Sequence, residues 1–255
     1  MRLAFLLPLL LFASLAYSQQ AQQQAPRSAG GPPADQKAIF QRALDMYKAK
    51  SYSNALRAFR EAAESGNVEA MMYVGTMLAS GQGTAASPSQ AMVWFTKAAN
   101  AGDGQAMCNI GILYFRGVEV QKRYDLALRW FRQGSLAGNA QAMFNLGVLY
   151  RDGLGVPVDF SAAMDWFLKA SAGENNLAMN SIGVMYQKGQ GVPVDYREAM
   201  RWYKKAVEFG NETAPYNIGV LYEHGLGVPV DREEARRWYS KAVASAQSDD
   251  QNGVQ

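Results

Sequence analysis

The sequence is poor in the residues that most often carry metal or covalent chemistry. Its 255 residues include one cysteine, Cys108, and one histidine, His224. A single cysteine cannot close a disulfide within the chain, and these two residues supply at most two ligands of a structural zinc site. A Ser-His-Asp relay would depend on His224 alone. The composition therefore excludes a disulfide scaffold and a Cys/His zinc site, and we expect no metal and no cofactor.

An excess of charge of one sign is also missing. The chain carries 25 basic against 22 acidic residues. Nucleic-acid binding usually depends on a strong positive field, which this balance does not predict. We therefore expect no nucleic-acid partner.

The apolar run at the N-terminus is too short to cross a bilayer. Residues 3–13 follow Arg2 and precede small residues, whereas a membrane-spanning helix needs about 20 apolar residues. This pattern is typical of a secretory signal peptide, residues 1–18, cut after Ser18 or, equally well, after Ala16. An uncleaved anchor is the alternative. We expect a protein exported to the bacterial periplasm or secreted, which meets the membrane only through its export signal.

Most of the remaining sequence repeats with a period of 36 residues. All five tryptophans keep this spacing, and two columns of glycine and two of alanine keep it in the same register. The columns are Trp94, Trp130, Trp166, Trp202 and Trp238; Gly75, Gly111, Gly147, Gly183 and Gly219; Gly81, Gly117, Gly153, Gly189 and Gly225; Ala70, Ala106, Ala142, Ala178 and Ala214; and Ala91, Ala127, Ala163, Ala199 and Ala235. They define five units, residues 66–101, 102–137, 138–173, 174–209 and 210–245.

Each unit is predicted to hold two helices. In the third unit, apolar residues at helical spacing lead to Gly153, where a left-handed glycine ends a helix. Asp159 then stands where the next helix needs an N-cap. Later units show a pattern that resembles a capping box, Asp195 with Glu198 and Asp231 with Glu234.

A glycine inside the first helix of every unit indicates close helix packing. Gly147 lies within a helix, where glycine costs about 1 kcal/mol relative to alanine. We expect the two helices to approach closely there, with the tryptophan and its aromatic neighbours filling the space beside it.

The segments that flank the five units differ from them. Residues 35–65 share several second-helix columns but have Ala58 in the tryptophan position, and we predict a shorter helical hairpin there. Residues 19–34, QQAQQQAPRSAGGPPA, are predicted to form a flexible linker. Residues 246–255 are predicted to form a polar tail.

Residues 142–170, AMFNLGVLYRDGLGVPVDFSAAMDWFLKA, closely resemble the Sel-one-like repeat (SLR), a relative of the tetratricopeptide repeat (TPR). The resemblance covers residues 66–245, and residues 35–65 look more like a plain TPR. It implies an all-α, right-handed solenoid of tandem helix-turn-helix repeats with a concave groove. It also implies an exported adaptor or scaffold that binds protein or peptide partners through that groove, in envelope, secretion or host-interaction processes.

Two positions depart from the family pattern. Glu119 stands where the second loop glycine belongs, and Arg123 where the cap aspartate belongs, so we expect that connector to bend differently. Glu174 occupies the inter-repeat glycine column, which predicts a local irregularity between the third and fourth units.

Two variable columns on the first helices match positions that line the groove in TPR relatives. One runs through Met72, Cys108, Phe144, Asn180 and Tyr216, and the other through Ala79, Phe115, Arg151, Gln187 and Glu223. Their mixture of aromatic, amide and charged groups suits an extended peptide, although ordinary surface or partial core is the alternative. The candidate partner-binding residues are Met72, Phe115, Phe144, Arg151, Asn180, Gln187, Tyr216 and Glu223.

Two other functions are open, a β-lactam or cell-wall hydrolase and a glycan-contact module. No serine is followed by lysine three residues later, and neither HExxH nor GxSxG occurs, so the usual nucleophile and metalloprotease motifs are missing. All five tryptophans belong to one repeat column, which we assign to the contact between helices. Few aromatic side chains are therefore left for stacking on sugars. We therefore predict no catalytic residues and no enzyme.

Overall fold

The structure, a computed structural model, describes residues 34–252, and within them it contains twelve helices and no strand. The predicted all-α class is confirmed. The helices divide into two compact units, the first reaching to Trp130 and the second starting at Phe131. The predicted signal peptide, residues 1–18, and residues 19–33 of the predicted linker lie outside the described part.

Each of these two compact units, which are larger than the 36-residue repeat units, is built from consecutive antiparallel helices joined by short turns. The first unit contains α1 (Ala34–Lys48), α2 (Tyr52–Glu64), α3 (Val68–Ser80), α4 (Pro88–Asn100), α5 (Gly104–Arg116) and the start of α6 (Tyr124–Leu136). The second contains the rest of α6, α7 (Ala140–Asp152), α8 (Phe160–Ala172), α9 (Asn176–Lys188), α10 (Tyr196–Glu208), α11 (Ala214–His224) and α12 (Arg232–Asn252). Among the described residues, none of the helices is long and apolar enough to span a membrane.

Most first helices of the repeats begin with an Asn or Asp cap. The Asn139 side chain accepts a hydrogen bond from the Ala142 amide at 2.8 Å, which satisfies one of the free amides of the first turn. Asn67, Asp103 and Asn175 do the same for Ala70, Ala106 and Ala178. In these four repeats the alanine column therefore marks the third residue of a capped helix.

The predicted helix stops and second-helix caps are confirmed. Gly153 has φ 67°, and its amide donates to the Leu149 carbonyl, so a left-handed glycine ends α7. Asp159 caps α8 by accepting from the Ala162 amide at 2.9 Å.

The capping boxes are only half formed. Asp195 accepts from the Glu198 amide at 3.0 Å, as predicted. The reciprocal bond is missing because the Asp195 amide donates to the Tyr186 carbonyl, while the Glu198 carboxylate pairs with Arg201 at 2.6 Å.

Close helix packing at the glycine column is also confirmed. A Cβ atom built on Gly147 would lie 2.5 Å from Cδ1 of Phe167, so α7 can lie against that ring only because the side chain is missing. Equivalent contacts join Gly75 to Phe95, Gly183 to Tyr203 and Gly219 to Tyr239. The ring that fills the space belongs to the residue after each tryptophan.

The tryptophans themselves are half-buried. The Lys169 ammonium lies 4.3 Å from the centroid of the Trp166 ring, within the range of a cation–π interaction. The same arrangement recurs between Lys97 and Trp94, Lys205 and Trp202, and Lys241 and Trp238. In these four repeats, the lysine three residues after the tryptophan therefore covers part of the ring that is not buried between the helices.

The two expected irregularities do not occur. Glu174 adopts φ 62°, in the left-handed region that Gly138 and Gly210 occupy, and the Asn175 amide still donates to the Ala170 carbonyl at 3.1 Å. Because the helix-end hydrogen bond is kept, the backbone follows the repeat even with a side chain at this position.

Glu119 is also in the left-handed region, with φ 56°. The connector that contains it ends in a hydrogen bond from the Arg123 amide to the Tyr114 carbonyl at 3.0 Å. The Asp159 amide donates to the Tyr150 carbonyl in the same way in the third repeat. The Glu119 carboxylate also accepts from the Ser89 amide at 3.3 Å, in the first turn of α4. A negatively charged hydrogen-bond acceptor is favourable there, because the free amides make that end of the helix positive.

We predict that Gly147→Leu lowers Tm by about 3–8 °C, because the added side chain overlaps the Phe167 ring and overpacking costs about 1–3 kcal/mol. Asp165→Leu places leucine on the exposed side of α8 and is the matched control, expected within about 2 °C of wild type. Thermal unfolding followed by circular dichroism measures both. An unchanged Tm for Gly147→Leu would refute the packing.

We also predict that Glu174→Gly raises Tm by about 2–8 °C, because a non-glycine residue in the left-handed region costs about 1–2 kcal/mol. Gly210→Glu makes the reverse change at the matching position and should lower Tm by a similar amount. A Cβ atom added at Gly210 would meet only Nδ2 of Asn176, 4.0 Å away, so the cost there comes from the backbone conformation and not from a clash. A lower Tm for Glu174→Gly would contradict this.

Candidate functional site on helices α9 and α11

The structure divides the first candidate column between core and surface. Met72 and Phe144 are only 4% and 8% exposed, so the prediction that they line a binding surface is wrong. Phe144 lies in the core because its ring packs 5.7 Å from the Phe167 ring, centroid to centroid. Asn180 is half-buried, whereas Tyr216 is 51% exposed. The accessible part of this column therefore lies on α9 and α11.

Residues of the second candidate column contact aromatic rings of the second helices. Phe115 packs edge-on against Tyr124 at 5.5 Å between centroids. The Arg151 guanidinium lies 5.9 Å from the Phe167 ring centroid and forms two hydrogen bonds with Asp152, at 2.7 and 2.8 Å. Arg151 is therefore held by neighbours within its own repeat.

Gln187 and Glu223 accept hydrogen bonds from tyrosine hydroxyls. Tyr203 donates to Oε1 of Gln187, and Tyr239 donates to Oε2 of Glu223 at 2.7 Å. Burial raises the pKa of Tyr203, and burial together with the Glu223 carboxylate raises the pKa of Tyr239. Both hydroxyls therefore keep their protons and act as donors at neutral pH.

Sequence reasoning missed these tyrosines, although the sequence contains a signal for them. The residue after each tryptophan is Phe95, Phe131 and Phe167 in the first three repeats and Tyr203 and Tyr239 in the last two. The residue that faces it changes in the same repeats to Gln187 and Glu223, both of which can accept a hydrogen bond.

Polar contacts also link the first helices of the last two repeats. Asn217 Nδ2 donates to Oδ1 of Asn180 at 2.9 Å, so α9 and α11 touch at this point. The Tyr216 ring lies 5.4 Å from the Tyr239 ring, centroid to centroid. We define the α9–α11 face by five residues: Asn180, Gln187, Tyr216, Asn217 and Glu223.

The α9–α11 face offers hydrogen-bonding groups and one negative charge. Within residues 34–252, no lysine, arginine or histidine forms an ion pair with Glu223. Asn180 and Gln187 each use an amide oxygen as an acceptor, which leaves their NH₂ groups as donors. The arrangement suits binding of a polar, extended ligand.

The remaining chemically distinctive residues lie away from this face or have structural contacts. Cys108 is fully buried, and His224 is exposed at the end of α11. The Asn109 side chain accepts a hydrogen bond from Gln105 on its own helix at 3.0 Å. The described residues contain no group of three or more His, Cys, Asp or Glu arranged to hold a metal ion.

Comparison with known proteins identifies the repeat. The sequence model of the Sel1 repeat matches residues 68–103, 104–139, 140–175, 176–211 and 214–246. These ranges begin two to four residues after the units defined from the glycine and tryptophan columns. No curated protein sequence matches the chain significantly.

Several solved structures are similar to the chain. A Sel1 repeat protein from Oxalobacter formigenes is 27% identical, with 81% of this chain and 82% of that chain covered and a TM-score of 0.71. A protective antigen of uropathogenic Escherichia coli with an SLR fold is also 27% identical, with 84% and 47% covered and a TM-score of 0.70. The immunity protein Pa5087 from Pseudomonas aeruginosa, at 17% identity, 89% and 86% coverage and a TM-score of 0.59, shares the fold.

We predict that Phe144→Ala and Tyr216→Ala, two changes in one repeat column, have very different costs. Loss of the buried Phe144 ring should lower the free energy of unfolding by about 3–5 kcal/mol. Loss of the exposed Tyr216 ring should cost less than about 1.5 kcal/mol, since most of it already contacts water. Urea unfolding measures both, and equal costs would contradict the division of this column between core and surface.

Proposed function

Because this chain belongs to the Sel1 repeat family, an all-α repeat solenoid, we propose that it is an exported adaptor that binds a protein or peptide partner through the α9–α11 face. Sel1 repeat proteins generally mediate protein–protein interactions and are generally non-catalytic scaffolds. The family therefore supports a binding role, and the residues of this chain suggest where binding takes place.

The observation that carries the proposal is the exposure of Tyr216. It is a large aromatic side chain, 51% exposed, in a column whose members in the first three repeats are buried. Tyrosine is enriched where protein surfaces meet partners because it offers a large apolar ring and a polar end. Hydrogen bonds to Asn180 from Asn217 and to Glu223 from Tyr239 hold the surrounding groups in place, so these side chains lose little conformational entropy on binding.

The α9–α11 face suits a peptide ligand better than a sugar ligand. The tryptophans, which could otherwise stack on sugar rings, are half-buried, and lysine ammonium groups lie over four of them. The α9–α11 face instead presents amide groups of Asn180, Gln187 and Asn217 around one tyrosine, which suits an extended backbone with its alternating carbonyls and amides.

Export is part of the same proposal. Its support is the signal-like segment of residues 1–18, in which Arg2 precedes a short apolar run. The similar protein from uropathogenic Escherichia coli is a protective antigen, and an antigen that elicits protection is commonly accessible outside the cytoplasm. We propose the periplasm or the medium as the place where the partner is met.

Photo-crosslinking in living cells tests the proposal. A photoreactive phenylalanine analogue replaces Tyr216 and, in a matched control, Lys204, which is exposed on the second helix α10. We expect a crosslinked protein adduct from position 216 and none of the same mass from position 204. Adducts from position 204 alone would contradict the assignment of the face.

Fractionation of the same cells tests export. The adduct is expected in the periplasm or the medium, and removal of residues 1–18 should keep both the chain and the adduct in the cytoplasm. Recovery of the intact chain only from the cytoplasm of wild-type cells would contradict export.

A further inference from the structure

We infer that Tyr216 and Glu223 bind an arginine or lysine side chain presented by an extended segment of the partner. The inference rests on the proposed function and specifies the chemistry of the partner at the fifth repeat. It follows from one exposed ring, one carboxylate without an ion pair among the described residues, and the spacing between them.

The first element is the Tyr216 ring. It packs against Tyr239, whose ring centroid is 5.4 Å away with the planes tilted by 38°. Tyr216 is still 51% exposed to solvent. An exposed aromatic face attracts cations through its quadrupole and covers the apolar stem of a long side chain.

The second element is the Glu223 carboxylate. Its Oε2 accepts the Tyr239 hydroxyl at 2.7 Å, which fixes the position of the group. Of the five described ion pairs, none uses Glu223, and its side chain is exposed. A positioned carboxylate that has no ion-pair partner among the described residues is complementary to a guanidinium or an ammonium group.

The matching positions in the other repeats show that this charge is specific to the fifth. They are occupied by Ala79, Phe115, Arg151 and Gln187. Arg151 already pairs with Asp152, and Gln187 is neutral. A basic side chain of a partner is therefore attracted at the fifth repeat and not at the third or fourth.

The spacing suits a long, basic side chain. Tyr216 and Glu223 are seven residues apart on α11, so they lie on one side of the helix about 10 Å apart along its axis. Arginine and lysine have apolar stems that can lie on the Tyr216 ring while the charged end reaches the Glu223 carboxylate. A short or neutral side chain would use the ring and leave the carboxylate without a partner.

The fourth repeat supplies contacts for the neighbouring backbone. The NH₂ groups of Asn180 and Gln187 are donors that suit carbonyl groups of an extended segment. Because α9 and α11 touch through Asn180 and Asn217, these donors lie beside the helix that carries Tyr216 and Glu223. We therefore expect one extended segment of the partner to contact both helices.

Selection from a phage-displayed library of random nonapeptides on the full chain tests the inference. We expect enriched peptides to carry arginine or lysine at one fixed position. In parallel selections, Glu223→Gln and Tyr216→Leu should each lose that preference, while Glu208→Gln, a change of an exposed carboxylate on α10, should retain it.

An enriched peptide is then synthesised with citrulline in place of arginine, or norleucine in place of lysine. We expect Kd, measured by fluorescence anisotropy, to rise at least fivefold for the wild-type chain and less than twofold for Glu223→Gln. Peptides enriched without a basic position, or an unchanged Kd, would overturn this inference and leave the peptide-binding function standing. A selection that enriches no peptide would overturn both.

Discussion

The fold depends on one contact that recurs in four of the five repeats, between a glycine of the first helix and an aromatic ring of the second. At Gly147 a Cβ atom would overlap the Phe167 ring, so the two helices reach their packing distance only because the side chain is missing. Glycine disfavours the helix locally, and the buried ring compensates through apolar burial. The caps and the left-handed glycines then set where each helix begins and ends.

The same contact shapes the surface. Where the ring is phenylalanine, the second-last residue of the first helix is apolar or charged, as in Ala79, Phe115 and Arg151. Where the ring is Tyr203 or Tyr239, its hydroxyl needs an acceptor, and Gln187 or Glu223 provides it. The change from phenylalanine to tyrosine at positions 203 and 239 therefore creates an ordered polar face on α9 and α11. This face is the basis of the proposed function.

Much of this architecture could be predicted from the sequence because each rule acts over a few residues. The spacing of Gly147 and Gly153 indicated the helix contact and the helix stop, and Asp159 the cap. The expected irregularity at Glu174 did not occur, since backbone hydrogen bonds hold the turn and the side chain only adds local strain.

The candidate site was harder to predict. Met72 and Phe144 share a column with Tyr216, but their burial depends on neighbouring side chains that the column alone does not identify. The hydrogen bonds of Gln187 and Glu223 come from residues 16 positions away, on the other helix of the hairpin. Such pairs can be recognised from the sequence only when the column of Gln187 and Glu223 is compared, repeat by repeat, with the column that follows the tryptophans.

Hydroxyl-radical footprinting of the native complex tests most directly whether the α9–α11 face binds the partner. Tyr216 and Phe209 are exposed to similar extents, 51% and 40%, but Phe209 lies in the turn after α10. Relative to the free protein, we expect the complex to protect Tyr216 from oxidation severalfold and to leave the oxidation of Phe209 unchanged. Protection of Phe209 with full oxidation of Tyr216 would contradict this expectation.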